Sequence, residues 1–205
     1  YRDQIFAKNL IQAVEGIGIK VFPNINSVWH FDDKIAQKYL LESIKAPLVN
    51  TYIFYDKINA LKWAENASYP KVFKLRRGSG SKNVLLVRSK KHAKKIIYRM
   101  FGRGIKPLSM IWALKERYRK YKLGNEPFIG LLKGVIRIFI GTPYLNMSEN
   151  EKGYVYFQDF LGGNCFDQRL VVIGKKCFGI RRNVRTNDFR ASGSGLVDFG
   201  KDFLD

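Results

Sequence analysis

Lys74 closes a short apolar run, Val72-Phe73, and is followed by Leu75-Arg76-Arg77-Gly78-Ser79-Gly80-Ser81-Lys82-Asn83 and a second apolar run, Val84–Val87. Two β-rich runs joined by a short Gly-containing segment read as a hairpin. Glycines carry no Cβ, so consecutive backbone N–H groups in Gly78, Ser79, Gly80 and Ser81 can close over phosphate oxygens. With Lys74 pointing inward just before that loop, the pattern suits a nucleoside triphosphate. Taken alone, the same pattern is more often an ordinary hairpin tip with a surface lysine.

Other residues extend the chemistry. Lys34 lies at the start of a predicted helix, where a cation beside oriented N–H groups favours phosphate. Gln158-Asp159-Phe160-Leu161 is a polar-to-apolar strand end. Its backbone can pair with a purine edge while Phe160 and Leu161 wall the ring. Asp167, six residues beyond Leu161, is within reach of a sugar hydroxyl, and Arg169, Arg182 and Arg190 follow on strands or loops. Each has a plain alternative: Lys34 a solvated helix face, Asp167 a turn cap, the arginines ordinary strand charges.

These side chains need a scaffold, and 205 residues with 46% hydrophobic content can supply one as a single domain or two close lobes. A net charge of +20 calls for an acidic partner: nucleotide, nucleic acid, anionic polymer or membrane surface. Cys165 and Cys177 are too few for a disulfide framework and lie in apolar context, which predicts buried thiols and a cytoplasmic setting. No zinc-ligand set occurs, and no apolar run approaches the ~18 residues of a membrane span.

Periodicity predicts a helix over residues 3–15, a strand at 19–22, and a helix from Asp32 or Asp33 to about Lys45. A strand at 49–54 and a helix at 56–67 follow, the latter with Ile58, Leu61, Trp63 and Ala64 inward, and then the hairpin. Ser89 caps a predicted helix to Phe101, and a second helix spans 108–121. Strands at 135–140 and 154–160 are expected to pair, as are 169–173 and 177–182 around Gly174-Lys175-Lys176. Residues 88–122 hold thirteen Lys or Arg against Glu116, a net +12 and over half the charge of the chain.

In their order and spacing these residues resemble the ATP-grasp ligases, and within them the RimK-like branch. The resemblance runs from about Ile19 to Gly195. Asp33-Lys34 resembles the start of the family's first lysine helix, and Tyr69-Pro70-Lys71-Val72-Phe73-Lys74 the strand bearing its second lysine. Gly78 to Ser81 resemble the phosphate-covering loop, Gln158 to Leu161 the adenine hinge, and Asp167 the ribose-binding acid. Asp167-Gln168-Arg169, Arg181-Arg182 and Asp188-Phe189-Arg190 resemble the RimK-like arginine series, the last being the most specific piece.

The resemblance implies an α+β ATP-grasp fold with nucleotide between two α+β lobes. It places the tail of a preceding domain at residues 1–22 and a small lobe at 23–157, with a basic helical insert at 88–122. A partial large lobe follows at 158–205, its C-terminal part missing. It implies an ATP-dependent ligase that activates a carboxylate as an acyl phosphate for attack by an amine or similar nucleophile, in cell-surface polysaccharide or peptide-like metabolite synthesis. Lys34 and Lys74 would offset phosphate charge, while Arg169, Arg182 and Arg190 would hold the acceptor carboxylate and acyl phosphate. Ala191-Ser192-Gly193-Ser194-Gly195 replaces the polar run of glutamate-adding relatives, so a different acceptor is expected. The Mg2+ ligands, a carboxylate and a later Glu-x-Asn pair, are expected beyond Asp205. A different class of function, a nucleic-acid or anionic-polymer binding module, would use the basic segment 88–122 with Tyr98, Phe101, Trp112, Tyr118 and Tyr121 as stacking rings. The alternative use of those rings is the inner face of two helices.

Overall fold

Alternation along two strands sets the core. β-Strand neighbours point to opposite faces, so Phe73 and Phe157 lie on one face of their sheet, directly opposite each other, with ring centroids 5.6 Å apart. The structure, a computed structural model, describes residues 2–78, 83–107, 114, 117–118, 121–122, 127–140, 149–185, 188–191 and 196–199. Contacts divide these into two units, one ending at Asp159 and the other running from Phe160.

The first unit holds helices α1 (Arg2–Gly16), α2 (Ile25–Val28), α3 (Lys34–Ser43), α4 (Lys57–Asn66), α5 (Lys90–Met100) and α6 (Phe128–Ile140). Its sheet is formed by β1 (Thr51–Phe54), β2 (Lys71–Lys74), β3 (Val84–Val87) and β4 (Val155–Asp159) in the order β1-β4-β2-β3, every pair antiparallel. α4 is capped by Asp56, whose Oδ1 accepts from Asn59 N at 2.8 Å, and buries Ala60 and Ala64. Trp63 stacks on Phe157 at 4.9 Å and meets Tyr52 and Phe54 at 5.1 and 5.4 Å. α5, capped by Ser89, adds Ala93, Ile96, Ile97 and Met100 to the same core. At ~25 cal/mol per Å2 such burial is the main stabilising term of the unit.

The second unit is a three-stranded antiparallel sheet of β5 (Phe166–Ile173), β6 (Lys176–Asn183) and β7 (Val197–Phe199). Its hairpin turns at Gly174-Lys175, with Ile173 opposite Lys176.

Several expectations need correction. Residues 19–22 form no strand. Residues 135–140 are the end of α6, and β4 pairs instead with β1 and β2. The β-branched Val135-Ile136-Arg137-Ile138 suggested a strand, but the apolar run is 13 residues long, a helix length, and places Gly130 and Gly134 four apart on one buried side. Ile58 is exposed; α4 turns its alanines inward. Cys165 and Cys177 are exposed, because the small sheet around them leaves even Leu170 and Val172 in solvent. Most of the helix predicted for 108–121 lies outside the described residues, though Leu114, Arg117, Tyr118 and Tyr121 are helical. Among the described residues no helix is long and apolar enough to cross a membrane.

Candidate functional site

The beginning of α3 is laced to the end of β2. Asp33 caps the helix, its Oδ1 accepting from Ile35 N at 3.1 Å and Ala36 N at 3.0 Å. Its other oxygen accepts from Arg76 Nε and Nη2 at 2.8 and 2.5 Å, while Lys34 N donates to Arg76 O at 2.9 Å. Burial works against the Asp33 carboxylate, yet these hydrogen bonds outweigh it and hold the group below its ordinary range. One aspartate therefore starts the helix and anchors the hairpin.

That lacing brings Lys34 to the mouth of the loop. Lys34 Nζ donates to Gly78 O at 2.8 Å, and Gly78 N donates to Asp32 Oδ1 at 3.3 Å. Gly78 has φ +110, a backbone conformation that residues with a Cβ rarely adopt, so glycine suits the base of the loop. Ser79, Gly80 and Ser81 lie outside the described residues.

Lys74 stands on the face of β2 opposite the Phe73 core, sharing it with Val72 and Gln158. Its Nζ donates to Gln158 Oε1 at 2.5 Å, and Gln158 Nε2 donates to Thr51 Oγ1 at 3.0 Å. Burial first, and the charge of Lys34 second, push the Lys74 ammonium down to about 8. Burial also lowers Lys34, partly opposed by Asp32, Glu151 and Asp33. Among the described residues no carboxylate pairs with Lys74. Burial first and the neighbouring Lys34 charge second thus disfavour the Lys74 ammonium at the start of the hairpin.

Asp159 is committed differently. Its carboxylate takes the Lys71 ammonium and Asn50 Nδ2, the latter at 3.0 Å, and its N–H donates to Asn50 O at 2.9 Å. The Lys71 hydrogen bond leads in holding its carboxyl below the ordinary range.

In the second unit, Phe160, Leu161, Asp167, Asp188 and Phe189 line a cavity of about 310 Å3. Phe160 and Phe189 meet edge to face with centroids 5.9 Å apart. Asp167 and Arg182 are directly opposite in β5 and β6 and form a two-pronged pair, Nε to Oδ1 at 2.7 Å and Nη2 to Oδ2 at 2.6 Å. Arg169 lies two residues from Asp167 on the same face and is exposed. Arg190 folds back on Asp188, Nε to Oδ1 and Oδ2 at 2.9 Å each.

The residues that sequence reasoning missed form a buried cluster behind the loop. Arg76 N donates to Tyr154 OH at 2.7 Å and to Glu151 Oε2 at 3.1 Å, Tyr154 OH donates to Glu151, and Arg77 Nε stands 3.2 Å from Glu151 Oε1. Burial, then the Glu151 charge, drives the Tyr154 hydroxyl far above its ordinary range. The available signal was Glu151 itself, which with Glu149 makes a pair of acids just before an apolar strand in a strongly basic chain. In the basic stretch, Lys90 and Lys94 pair with Glu65 of α4, and Lys57 Nζ lies 4.6 Å over the ring of exposed Tyr98.

No protein-family model matches the chain. No curated protein matches it either. Among solved structures it is similar to a RimK domain ATP-grasp protein from Sphaerobacter thermophilus, with 16% identity and a TM-score of 0.49 over 86% of this chain and 50% of that one. The chain spans about half the length of that structure.

Proposed function

We propose that this chain belongs to an ATP-dependent ligase of the RimK-like ATP-grasp kind, joining a carboxylate to an amine or similar nucleophile. The observation that carries the reading is the juxtaposition of Lys34 and Lys74 beside Gly78, with Lys74 held near pKa 8. Burial, and then the nearby Lys34 charge, disfavour the Lys74 ammonium until an anion with several charges arrives; a triphosphate fits that requirement. The ordered motifs from Asp33-Lys34 to Asp188-Phe189-Arg190 support the same choice.

Lys34 and Lys74 hold the phosphate oxygens and offset the charge that accumulates as the terminal phosphoryl group moves, since this chemistry is mostly positioning and electrostatics. A substrate carboxylate oxygen forms the new bond to phosphorus as the bond to the nucleoside diphosphate oxygen breaks. An amine nitrogen then forms its bond to the carbonyl carbon, loses a proton, and phosphate leaves. The second unit by itself offers a cavity walled by the Phe160 and Phe189 rings with Asp167 in its lining, a shape for a planar ring and a hydroxyl. Arg182 supports Asp167 through its two-pronged bond, and Arg169, exposed on the same face, is the guanidinium open to an acceptor carboxylate.

Magnesium, which the resemblance implies, does not fit the donors of the described residues. Among the described residues no group of three His, Cys, Asp or Glu gathers, and Asp33, Asp159, Asp167 and Asp188 are each engaged by a cation. A hard cation needs several free oxygens.

The test is calorimetric titration with ATP and ADP, combined with hydroxylamine trapping of acyl phosphate over a panel of carboxylates. The expected result is nucleotide binding that Lys34→Ala and Lys74→Ala weaken, with ATP-dependent hydroxamate formed from one class of carboxylate. Unchanged nucleotide affinity in both lysine variants would overturn the reading.

A further inference from the structure

α6 presents a surface that nucleotide chemistry does not use. Phe128, Ile129, Leu132, Val135 and Ile136 fall within about a third of its circumference, and all are solvent-exposed, Phe128 and Ile129 at 63% and Leu132 at 53%. The opposite side of the helix is taken. Gly130 and Gly134 are buried, a Cβ at Gly134 would lie 3.1 Å from Leu114 Cδ1 and from Arg117 Cδ, and Arg117 Nη1 donates to Gly130 O at 2.9 Å. The small residues thus receive the neighbouring helical turn, and the large apolar ones are left outside.

Cations and aromatic rings border this stripe. Lys133 is exposed beside it, Tyr121 meets Phe128 edge-on at 6.0 Å, and Lys122 Nζ lies 5.4 Å over the ring of Tyr118. Tyr118 and Tyr121 are both exposed. The preceding sequence, 88–122, carries a net +12.

We infer that α6 and its basic, tyrosine-bearing border dock on an anionic lipid surface. A nucleic acid would answer the charge but leave Leu132 and Ile136 in water. A second copy would cover the stripe but bring two chains of +20 together. An anionic bilayer face answers both features at once: the apolar stripe enters the headgroup boundary, the tyrosines sit at its level, and the lysines meet lipid phosphates. Thirteen residues span only about 20 Å, so the helix lies in the surface rather than crossing it.

The experiment is vesicle flotation of the full chain with phosphatidylcholine alone and with phosphatidylcholine containing phosphatidylglycerol, at low and high salt. The quadruple variant Phe128→Gln, Ile129→Gln, Leu132→Gln, Ile136→Gln keeps every charge, and Leu132→Phe keeps the apolar stripe. The expected result is binding to the anionic vesicles at least about tenfold over the neutral ones, weakened by salt. The glutamine variant should lose about tenfold or more, Leu132→Phe should bind fully, and all variants should melt alike because the altered side chains are exposed. Equal binding by the glutamine variant would show attraction by charge alone, and absence of binding to either vesicle would also overturn the proposal. So would a dimer in sedimentation velocity that the glutamine variant abolishes, since it would assign the stripe to a second copy. None of these outcomes depends on nucleotide affinity.

Discussion

Lys74 carries the sharpest consequences of a single side chain. Losing one charge-assisted phosphate contact costs about 1.5–3 kcal/mol, so Lys74→Ala should weaken ATP binding roughly ten- to a hundredfold. Calorimetry decides it, and an affinity equal to that of the parent chain would remove Lys74 from the site. The pH dependence follows from the same residue. With the empty-site ammonium at about 8, the free protein loses this proton as pH rises past that value. Bound phosphate favours the ammonium and raises its pKa, so the complex holds more protons than the free protein above pH 8. ATP affinity should therefore fall as pH rises from about 8, by up to about tenfold per unit. Lys74→Ala should flatten the profile; a parent profile that is level from pH 7 to 9.5 would contradict it. For folding the sign reverses: between about 8 and 10.5 the unfolded chain holds a proton that the folded chain has released. The cost of burying this lysine thus fades over that range.

At the scale of elements, Gly104 links a turn to the cluster behind the loop. It has φ +76, and a Cβ would lie 2.6 Å from Glu151 O, a backbone atom of the Ile105–Glu151 bridge. Gly104→Ala should cost roughly 1–3 kcal/mol, lowering the melting temperature by ~2–4 °C per kcal/mol; an unchanged melt would show that the bridge gives way freely. Legibility differs sharply between elements. The helices begun by Asp33, Asp56 and Ser89 were readable because each cap is a local bond between neighbours in sequence. The β2–β3 hairpin was readable for a similar reason, its alternation and glycine loop being local. α6 was not, because the β-branched Val135, Ile136 and Ile138 at its end read as a strand by themselves, and only the whole 13-residue segment has the length of a helix. For the site, the sequence marked Lys34, Lys74 and Gly78, which the structure gathers at one hairpin mouth. It did not mark the ties that gather them, Asp33 to Arg76 and Arg76 to Glu151, since those join residues 43 and 75 apart.

At the scale of the whole molecule, the basic face of α5 lies on different elements from the proposed phosphate-binding lysines Lys34 and Lys74. The core of the first unit is closed by Ala93, Ile96, Ile97 and Met100 on the inner side of α5, so its outer side is left to carry cations. Lys91 and Lys95 are exposed there, and Lys90 and Lys94 reach Glu65 of α4 in surface pairs worth ~0–1 kcal/mol. Exchanging Lys90, Lys91, Lys94 and Lys95 for Gln should therefore leave the fold nearly as stable. The same change removes up to four phosphate contacts with a polyanion, and each released counterion contributes to the slope of log K against log salt. Heparin or oligonucleotide binding should weaken, with a visibly shallower salt slope, while ATP affinity stays at the parent value because Lys34 and Lys74 are untouched. A parallel loss of ATP affinity in calorimetry would place α5 in the nucleotide site and break the separation of the two functions.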